Sequence, residues 1–478
     1  MTADTELAFT PAGRLREMIG ARELSPVELT ELTLRRIETL NPRLNAFITV
    51  TGERAMDAAR EAEAAVMRGD ALGPLHGIPV PIKDLEAVKG VRLTQGSLIH
   101  ADEVADSDAL CVDRIRAAGG IVIGKTNTPE HGHSGTTENR VADPCRNPWD
   151  PERTPGGSSG GAAASVASGM TAIAQGSDGG GSVRIPCGFS GIFGIKATQG
   201  RVPRRHAGPN SWHIINHSSV GPMTRTVRDG VIMLQALAGP SPDAEYGTIQ
   251  DAPPDFEASL GMGVRGLRVA FSPDMGGAAV DGEVAKAVAA AAEVFEDLGA
   301  TVEQPEFKPD DYEALFETFY MYFCIRGYGS FGSELEHADM LTGYFRTNIE
   351  YGQAATAEDY VKALNNIGQY RAYVNDFMSR YDLLLTPSLA VPAFLIGQEP
   401  SEIGGRDIQW PRWGYTPFTY LFNLTGNPGA SVPCGFSKDG LPIGLQVVGR
   451  LKDEETVLAA SAAFEEARPW AGKRPPVS

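Results

Sequence analysis

Two glycine-rich loops constrain this chain more than any other stretch: Thr154-Pro-Gly-Gly-Ser-Ser-Gly-Gly161 and Gly176-Ser-Asp-Gly-Gly-Gly-Ser-Val-Arg-Ile-Pro186. Glycine at this density marks backbone that turns sharply, lies close to a ligand, or aims several N–H groups at one point. Serines set in such backbone are candidates for covalent chemistry. Between the loops, 161–174 is a run rich in Ala, Val and Ser that begins like a helix and ends like a strand over 171–174. A helix–strand unit flanked by these loops brings Ser158, Ser159 and Ser182 to one sheet edge.

The remainder of the chain narrows the class. With 478 residues, 42% hydrophobic and 21% charged, it can bury a large core. A net charge of -18 disfavours nucleic acid and anionic membrane surfaces as partners. The five cysteines, at 111, 145, 187, 324 and 434, are odd in number and form no CxxC pair, which reads as reduced thiols in a cytoplasmic protein. His131 and His133 do not share a helical face and no HExxH accompanies them, so no metal is expected. The first residues lack the basic and apolar regions of a signal peptide, and no window approaches about 18 uninterrupted apolar residues.

Along the chain, Ser25-Pro-Val-Glu28 is a capping box, and Leu29, Leu32, Ile37 and Leu40 continue a helix that Asn41-Pro42 is expected to stop. A second helix is expected over 54–68. His76-Gly-Ile-Pro-Val-Pro-Ile-Lys-Asp84 reads as an irregular or edge strand that delivers Lys83 from an apolar neighbourhood. Helix over 106–118 and strand over 121–124 follow, and the alternation returns as strand 266–271, helix 283–298 and a strand from 301. Helices rich in aromatics span 312–380, then come a strand over 382–387, a hairpin turning at 437–440 and a last helix over 454–467. The expected fold is α/β: one large α/β/α domain over 1–478 with a mixed central sheet covered by helices on both faces. Its parts are N-terminal helices over 1–70, a catalytic core over 76–230 and a helical substrate-side insertion over 310–380.

Three chemistries compete. Gly119 with Gly124-Lys125-Thr126 satisfies GxxxxGK[ST], but Ile121-Val122-Ile123 reads as strand and Thr128-Pro129 blocks an immediate helix, so context rejects a phosphate loop. Gly157-Ser-Ser159-Gly-Gly161 satisfies the GxSxG elbow of α/β-hydrolase esterases, yet the last histidine is His337, far from the chain end where that mechanism needs one. The third chemistry requires no histidine, because burial can leave a lysine neutral and able to take a proton from serine. Lys83 fits that requirement.

The two loops resemble the amidase signature family, including the 24 positions between Ser158 and Ser182. Further landmarks are Gly77-Ile-Pro-Val-Pro-Ile-Lys-Asp84, Gly124-Lys-Thr-Asn127, Arg146-Asn-Pro-Trp149, Gly191-Ile-Phe-Gly-Ile-Lys196, Gly221-Pro-Met-Thr-Arg225 and Gly440-Leu-Pro-Ile-Gly-Leu-Gln446. The resemblance covers roughly 25–465. It implies a Ser-cisSer-Lys triad: Ser182 as nucleophile, Ser158 on a cis peptide as proton relay, and Lys83 as base. It also implies an oxyanion hole from the N–H groups of Gly179, Gly180, Gly181 and Ser182, with structural support from Ser159, Asp178 and Arg184. Three positions depart from the usual pattern: Gly179 where Thr or Ile is common, Ala197 after Lys196, and Leu85.

The implied activity is hydrolysis of carboxylic amides or related acyl–nitrogen bonds through an acyl-enzyme, with no cofactor. An alternative is the amidase component of a tRNA-dependent amidotransferase, which releases ammonia from glutamine. Pro129-Glu-His-Gly-His-Ser-Gly-Thr-Thr-Glu-Asn139 departs from the run associated with those components and favours the free hydrolase. His131, Trp212, Phe316, Tyr320 and the stretch 410–415 are candidates to shape a pocket for a bulky or aryl acyl group. The resemblance makes a homodimer the expected assembly.

Overall fold

The computed structural model describes residues 3–205, 217–245 and 247–478, so Trp212 lies outside the described residues. Thirteen strands occur among them: β1 (Phe47–Val50), β2 (Pro79–Lys83), β3 (Ile121–Thr126), β4 (Ile173–Asp178), β5 (Phe193–Lys196), β6 (Ser219–Thr224), β7 (Arg268–Phe271), β8 (Thr301–Glu303), β9 (Leu383–Pro387), β10 (Glu402–Ile403), β11 (Arg406–Asp407), β12 (Gly429–Phe436) and β13 (Pro442–Gly449). Eight form one sheet in the order β4-β6-β5-β12-β13-β9-β7-β8. It is mixed: β7 pairs in parallel with β8 and β9, and the other ladders are antiparallel. A separate sheet of order β1-β3-β2 carries Lys83 at its edge, and β10 and β11 form a small hairpin.

Alternation along the central strands explains why the sheet is covered on both faces. Leu383 and Leu385 of β9 join one apolar cluster and Leu384 joins another; Val447 and Val448 of β13 divide in the same way. On the first face lie Val288 and Phe295 of the Gly282–Asp297 helix and Leu458 and Phe464 of the Glu454–Ala467 helix. On the second lie Phe316, Phe319, Tyr370 and Phe377, from the Tyr312–Phe331 and Ala357–Met378 helices. Apolar runs such as Leu383-Leu384-Leu385 are therefore fully buried rather than half-exposed.

Most expected elements appear near their expected positions. The N-terminal helix is longer than expected, running Pro26–Leu44 through Pro42. A proline in the last turn removes a single backbone donor, and Asn45, in the left-handed region at φ 49, closes the end instead. The strand expected over 171–174 begins later and continues as β4 to Asp178, directly into the second glycine loop. Lys125 closes no phosphate loop: it lies in β3, fully buried, with Nζ 2.8 Å from Asp84 Oδ1. No helix among the described residues is long and apolar enough to cross a membrane.

The Ala12–Gly20 helix begins after Pro11, which offers no side-chain cap. Asp229 supplies one from far along the chain, accepting from the Ala12 N–H and the Gly13 N–H at 2.9 Å each. Asp229→Ala strands both donors, and about 2 kcal/mol of stability is expected to be lost. A fall in Tm with faster proteolysis inside residues 3–24 checks this.

Candidate active site

Lys83 ends β2 with no exposed surface, and its Nζ meets three hydroxyls: Ser158 Oγ at 2.6 Å, Ser159 Oγ at 2.9 Å and Ser177 Oγ at 3.2 Å. Its backbone N–H donates to Gln175 Oε1 at 2.8 Å, which fastens β2 to β4 through a side chain. Burial pushes the Lys83 ammonium down to about 7; Glu86 and Asp178 oppose that shift, and Arg204 adds to it. A substantial fraction of the amine is therefore neutral near pH 7. A neutral amine has two N–H donors and one lone pair. With Ser159 and Ser177 taking the donors, the lone pair is left for the Ser158 hydroxyl.

Each serine has a different environment. Ser159 Oγ donates to Ser177 O at 3.1 Å and accepts from the Ser177 N–H at 3.3 Å as well as from Lys83, so its hydroxyl is fully committed. Ser158 follows a cis peptide bond from Gly157 and borders Gly132, where a Cβ would lie 3.2 Å from Ser158 Oγ. Ser182 is partly exposed, and its hydroxyl makes no hydrogen bond among the described residues. The Ser182 carbonyl accepts from the Ser159 N–H at 3.2 Å, which ties the two glycine loops together.

Asp178 and Arg184 brace the second loop from beneath, both fully buried. Arg184 Nε and Nη2 donate to the two Asp178 oxygens at 2.9 Å each, and the remaining guanidinium donors reach Thr419 O, Gln446 Oε1 and Asn423 Oδ1. Burial alone would raise the Asp178 carboxyl, but the Arg184 charge holds it well below the usual carboxylate range. Asp178 Oδ1 also accepts from the Gly181 N–H at 2.8 Å. Gly181 therefore differs from the expectation that four N–H groups converge: its N–H points inward, to Asp178. The N–H groups of Gly179, Gly180 and Ser182 have no acceptor among the described residues.

The candidate pocket residues separate. The His131 ring is engaged elsewhere, with Nε2 2.9 Å from Glu334 Oε2 and the ring stacked on Phe331. Phe316 is buried against Tyr320, Trp410 and Tyr420, and Tyr320 donates to Asn348 Oδ1 at 2.8 Å. The aromatic on the second loop is Phe319, whose ring would lie 2.8 Å from a Cβ at Gly180. Nothing in the spacing distinguished Phe319 from Phe316. Ser177, Gln175, Thr419 and Asn423 were also missed; of these, only Ser177 carried a local signal, as a hydroxyl inside the second loop.

His100, His131 and Glu334 bring three potential metal-ligand atoms within 4.8 Å of one another. Both Nε2 atoms lie 2.9 Å from opposite Glu334 oxygens, a proton-sharing arrangement that joins three turns. His133 is absent from this group; its ring packs on Phe323 and burial pushes it down to about 3.

Comparison with known proteins agrees with the architecture. The amidase family profile matches residues 28–458. The chain is 37% identical to an acylamidase of Rhodococcus erythropolis over 479 residues, covering 99% of this chain and 98% of the relative. It is 35% identical over 507 residues to a glutamyl-tRNA(Gln) amidotransferase subunit of Moorella thermoacetica, covering 98% and 99%. Among solved structures, a bacterial aryl acylamidase of the amidase signature family superposes with a TM-score of 0.90 at 30% identity, covering 97% of this chain and 99% of that one. A 6-aminohexanoate cyclic dimer hydrolase, solved with its substrate, gives 0.87 at 29%, covering 98% and 99%. These likenesses define an enzyme that hydrolyses carbon–nitrogen bonds of amides. The chain belongs to the amidase signature family. The esterase reading of the GxSxG match is not favoured.

Two expectations follow. Gly181 has φ +126 and a Cβ there would lie 2.3 Å from Thr419 Oγ1, whereas a Cβ at Gly179 meets nothing closer than Ser218 Cβ at 3.6 Å. Gly181→Ala is therefore expected to lower Tm and remove most amidase activity, and Gly179→Ala to keep the parent Tm. The hydrogen bond to Glu334 raises the His100 imidazole to about 9 against the opposing effect of burial, with Glu103 adding to the rise. Its folded value lies above the unfolded value of about 6.5, so the stabilisation is full below that pH and is lost as pH rises through about 9. The Tm gap between the parent and His100→Gln is expected to be widest at pH 6 and to narrow by pH 10.

Proposed function

We propose that Ser182 is the nucleophile of an amidase reaction in which Ser158 relays protons and Lys83 is the base. The Lys83–Ser158 distance of 2.6 Å carries the reading, because it joins a buried amine to a hydroxyl on the adjoining loop. Lys83 Nζ takes the Ser158 proton while Ser158 Oγ takes that of Ser182, whose oxygen then bonds to the amide carbonyl carbon. The developing oxyanion meets the N–H groups of Gly179, Gly180 and Ser182, an arrangement worth a few kcal/mol in such reactions. The proton returns from Lys83 through Ser158 to the leaving nitrogen, and the C–N bond breaks to leave an ester on Ser182. Water, deprotonated by the same route, hydrolyses that ester and frees the acid.

The substrate class is a neutral carboxylic amide, with aryl amides favoured. The names of two relatives, acylamidase and aryl acylamidase, and the Phe319 ring beside Gly180 support this. A second reading, glutamine hydrolysis within an amidotransferase, rests on the 35% relatives; the divergent 129–139 stretch weighs against it. The five cysteines, all unpaired, support a reducing, cytoplasmic location.

A reactive fluorophosphonate is expected to leave a single adduct on Ser182, read by peptide mapping. Ser182→Ala is expected to abolish hydrolysis of an aryl amide, and Lys83→Ala and Ser158→Ala to lower kcat/KM at least about a hundredfold. Because the neutral amine is the active form, kcat/KM is expected to rise with pH through about 7. An adduct on Ser159, or full activity in any of the three variants, overturns the assignment.

A further inference from the structure

Three acidic side chains surround the turn that carries Lys83, and each has a cation of its own. Asp84 meets Lys125 at 2.8 Å, Asp178 meets Arg184 at 2.9 Å, and Glu86 meets Arg204 at 2.7 Å. The first two pairs are buried completely, and their cations lie in strand β3 and at the start of the Arg184–Ser190 helix. The third differs. Glu86 sits in the turn immediately after β2, with its N–H donating to the Lys83 carbonyl at 3.0 Å and its side chain only 7% exposed.

Arg204, 18% exposed, comes from a segment 118 positions away. One arm of its guanidinium donates to Glu86 Oε1 and the other to Ser218 Oγ at 2.8 Å. Ser218 Cβ in turn lies 3.6 Å from where a Gly179 Cβ would be, so Arg204 spans from the turn behind Lys83 to the wall of the second glycine loop. The Glu86 charge favours the ammonium of Lys83 and the Arg204 charge opposes it, so a carboxylate paired with its cation acts less on the buried amine than an unpaired one. Besides Glu86, the groups facing Arg204 are Glu245 and the Cys111 thiol, while Glu86, Asp178 and Arg204 face Lys83.

We propose that Arg204 is a positioning residue that sets the working pH of this amidase by neutralising Glu86 behind the Lys83 amine. The proposal rests on the reading of Lys83 as the base. Cancelling Glu86 keeps the amine free near neutral pH, and the contact with Ser218 places the same guanidinium beside Gly179.

The test follows the rate of fluorophosphonate labelling at Ser182 against pH, which reports the state of the base without a known substrate. Arg204→Gln is expected to move the labelling midpoint upward by about half a pH unit or more, and Glu86→Gln to move it downward. Arg204→Lys is expected to hold the parent midpoint, and the double variant R204Q/E86Q to return towards it. Unchanged midpoints in both single variants, or shifts in the same direction, overturn the proposal while leaving the base assignment intact. Should Arg204→Gln fail to fold, Glu86→Gln decides alone, since glutamine preserves the shape of the carboxylate and the downward shift requires only loss of its charge. Failure of the parent protein to label at Ser182 overturns the reading of the site and this proposal with it.

Discussion

Taking the Lys83 amine out of water is the physical act on which the site depends. A lysine in solvent stays protonated far above neutral pH; with no exposed surface, its charged form loses hydration that the protein restores only in part. What surrounds the amine matters as much as its burial. Three hydroxyls accept or donate without carrying charge, whereas one unpaired carboxylate in their place would stabilise the ammonium. The nearby acids are accordingly each held by another cation, two of them in pairs that are themselves sealed from solvent.

A second constraint is the shape of the loop that presents Ser182. Asp178, at the end of β4, accepts from the N–H groups of Gly181, Val183 and Arg184 while gripping the Arg184 guanidinium. The carboxylate thereby acts as a template over which the chain turns from strand to helix. Thr419 holds the loop from above by donating to the Gly180 carbonyl at 2.7 Å. Glycine is needed at 181 for its positive φ and at 180 because the Phe319 ring occupies the space a side chain would take. Position 179 meets neither requirement, so a side chain there has room.

Local features were legible in the sequence and long-range ones were not. The density of glycine and serine marked both loops, and helix starts such as Ser25-Pro-Val-Glu28 carried their own capping chemistry. The apolar strand leading into Lys83 signalled the burial of its amine. Even the orientation of the Gly181 N–H had a signal, since an aspartate three residues earlier is a ready local acceptor. By contrast, Arg204 and Glu86 are separated by 118 positions, and His131 and Glu334 by 203. No periodicity connects such residues; only the path of the chain does. The aromatic helix presented the same difficulty, since Phe316 and Phe319 are equally apolar and only the packed structure determines which ring reaches the loop.

The two sheets share no ladder, although Lys83 stands on one and Ser182 follows the edge strand of the other. Val80 and Ile82 of the first share a buried apolar cluster with Ile173, Phe193 and Ile195 of the second, and the Gln175 side chain and the serine contacts of the amine add polar bridges. The alignment of Lys83 with the glycine loops is thus set by side chains, so a substitution at Val80, Ile82 or Ile173 is felt at the amine while every ladder stays paired.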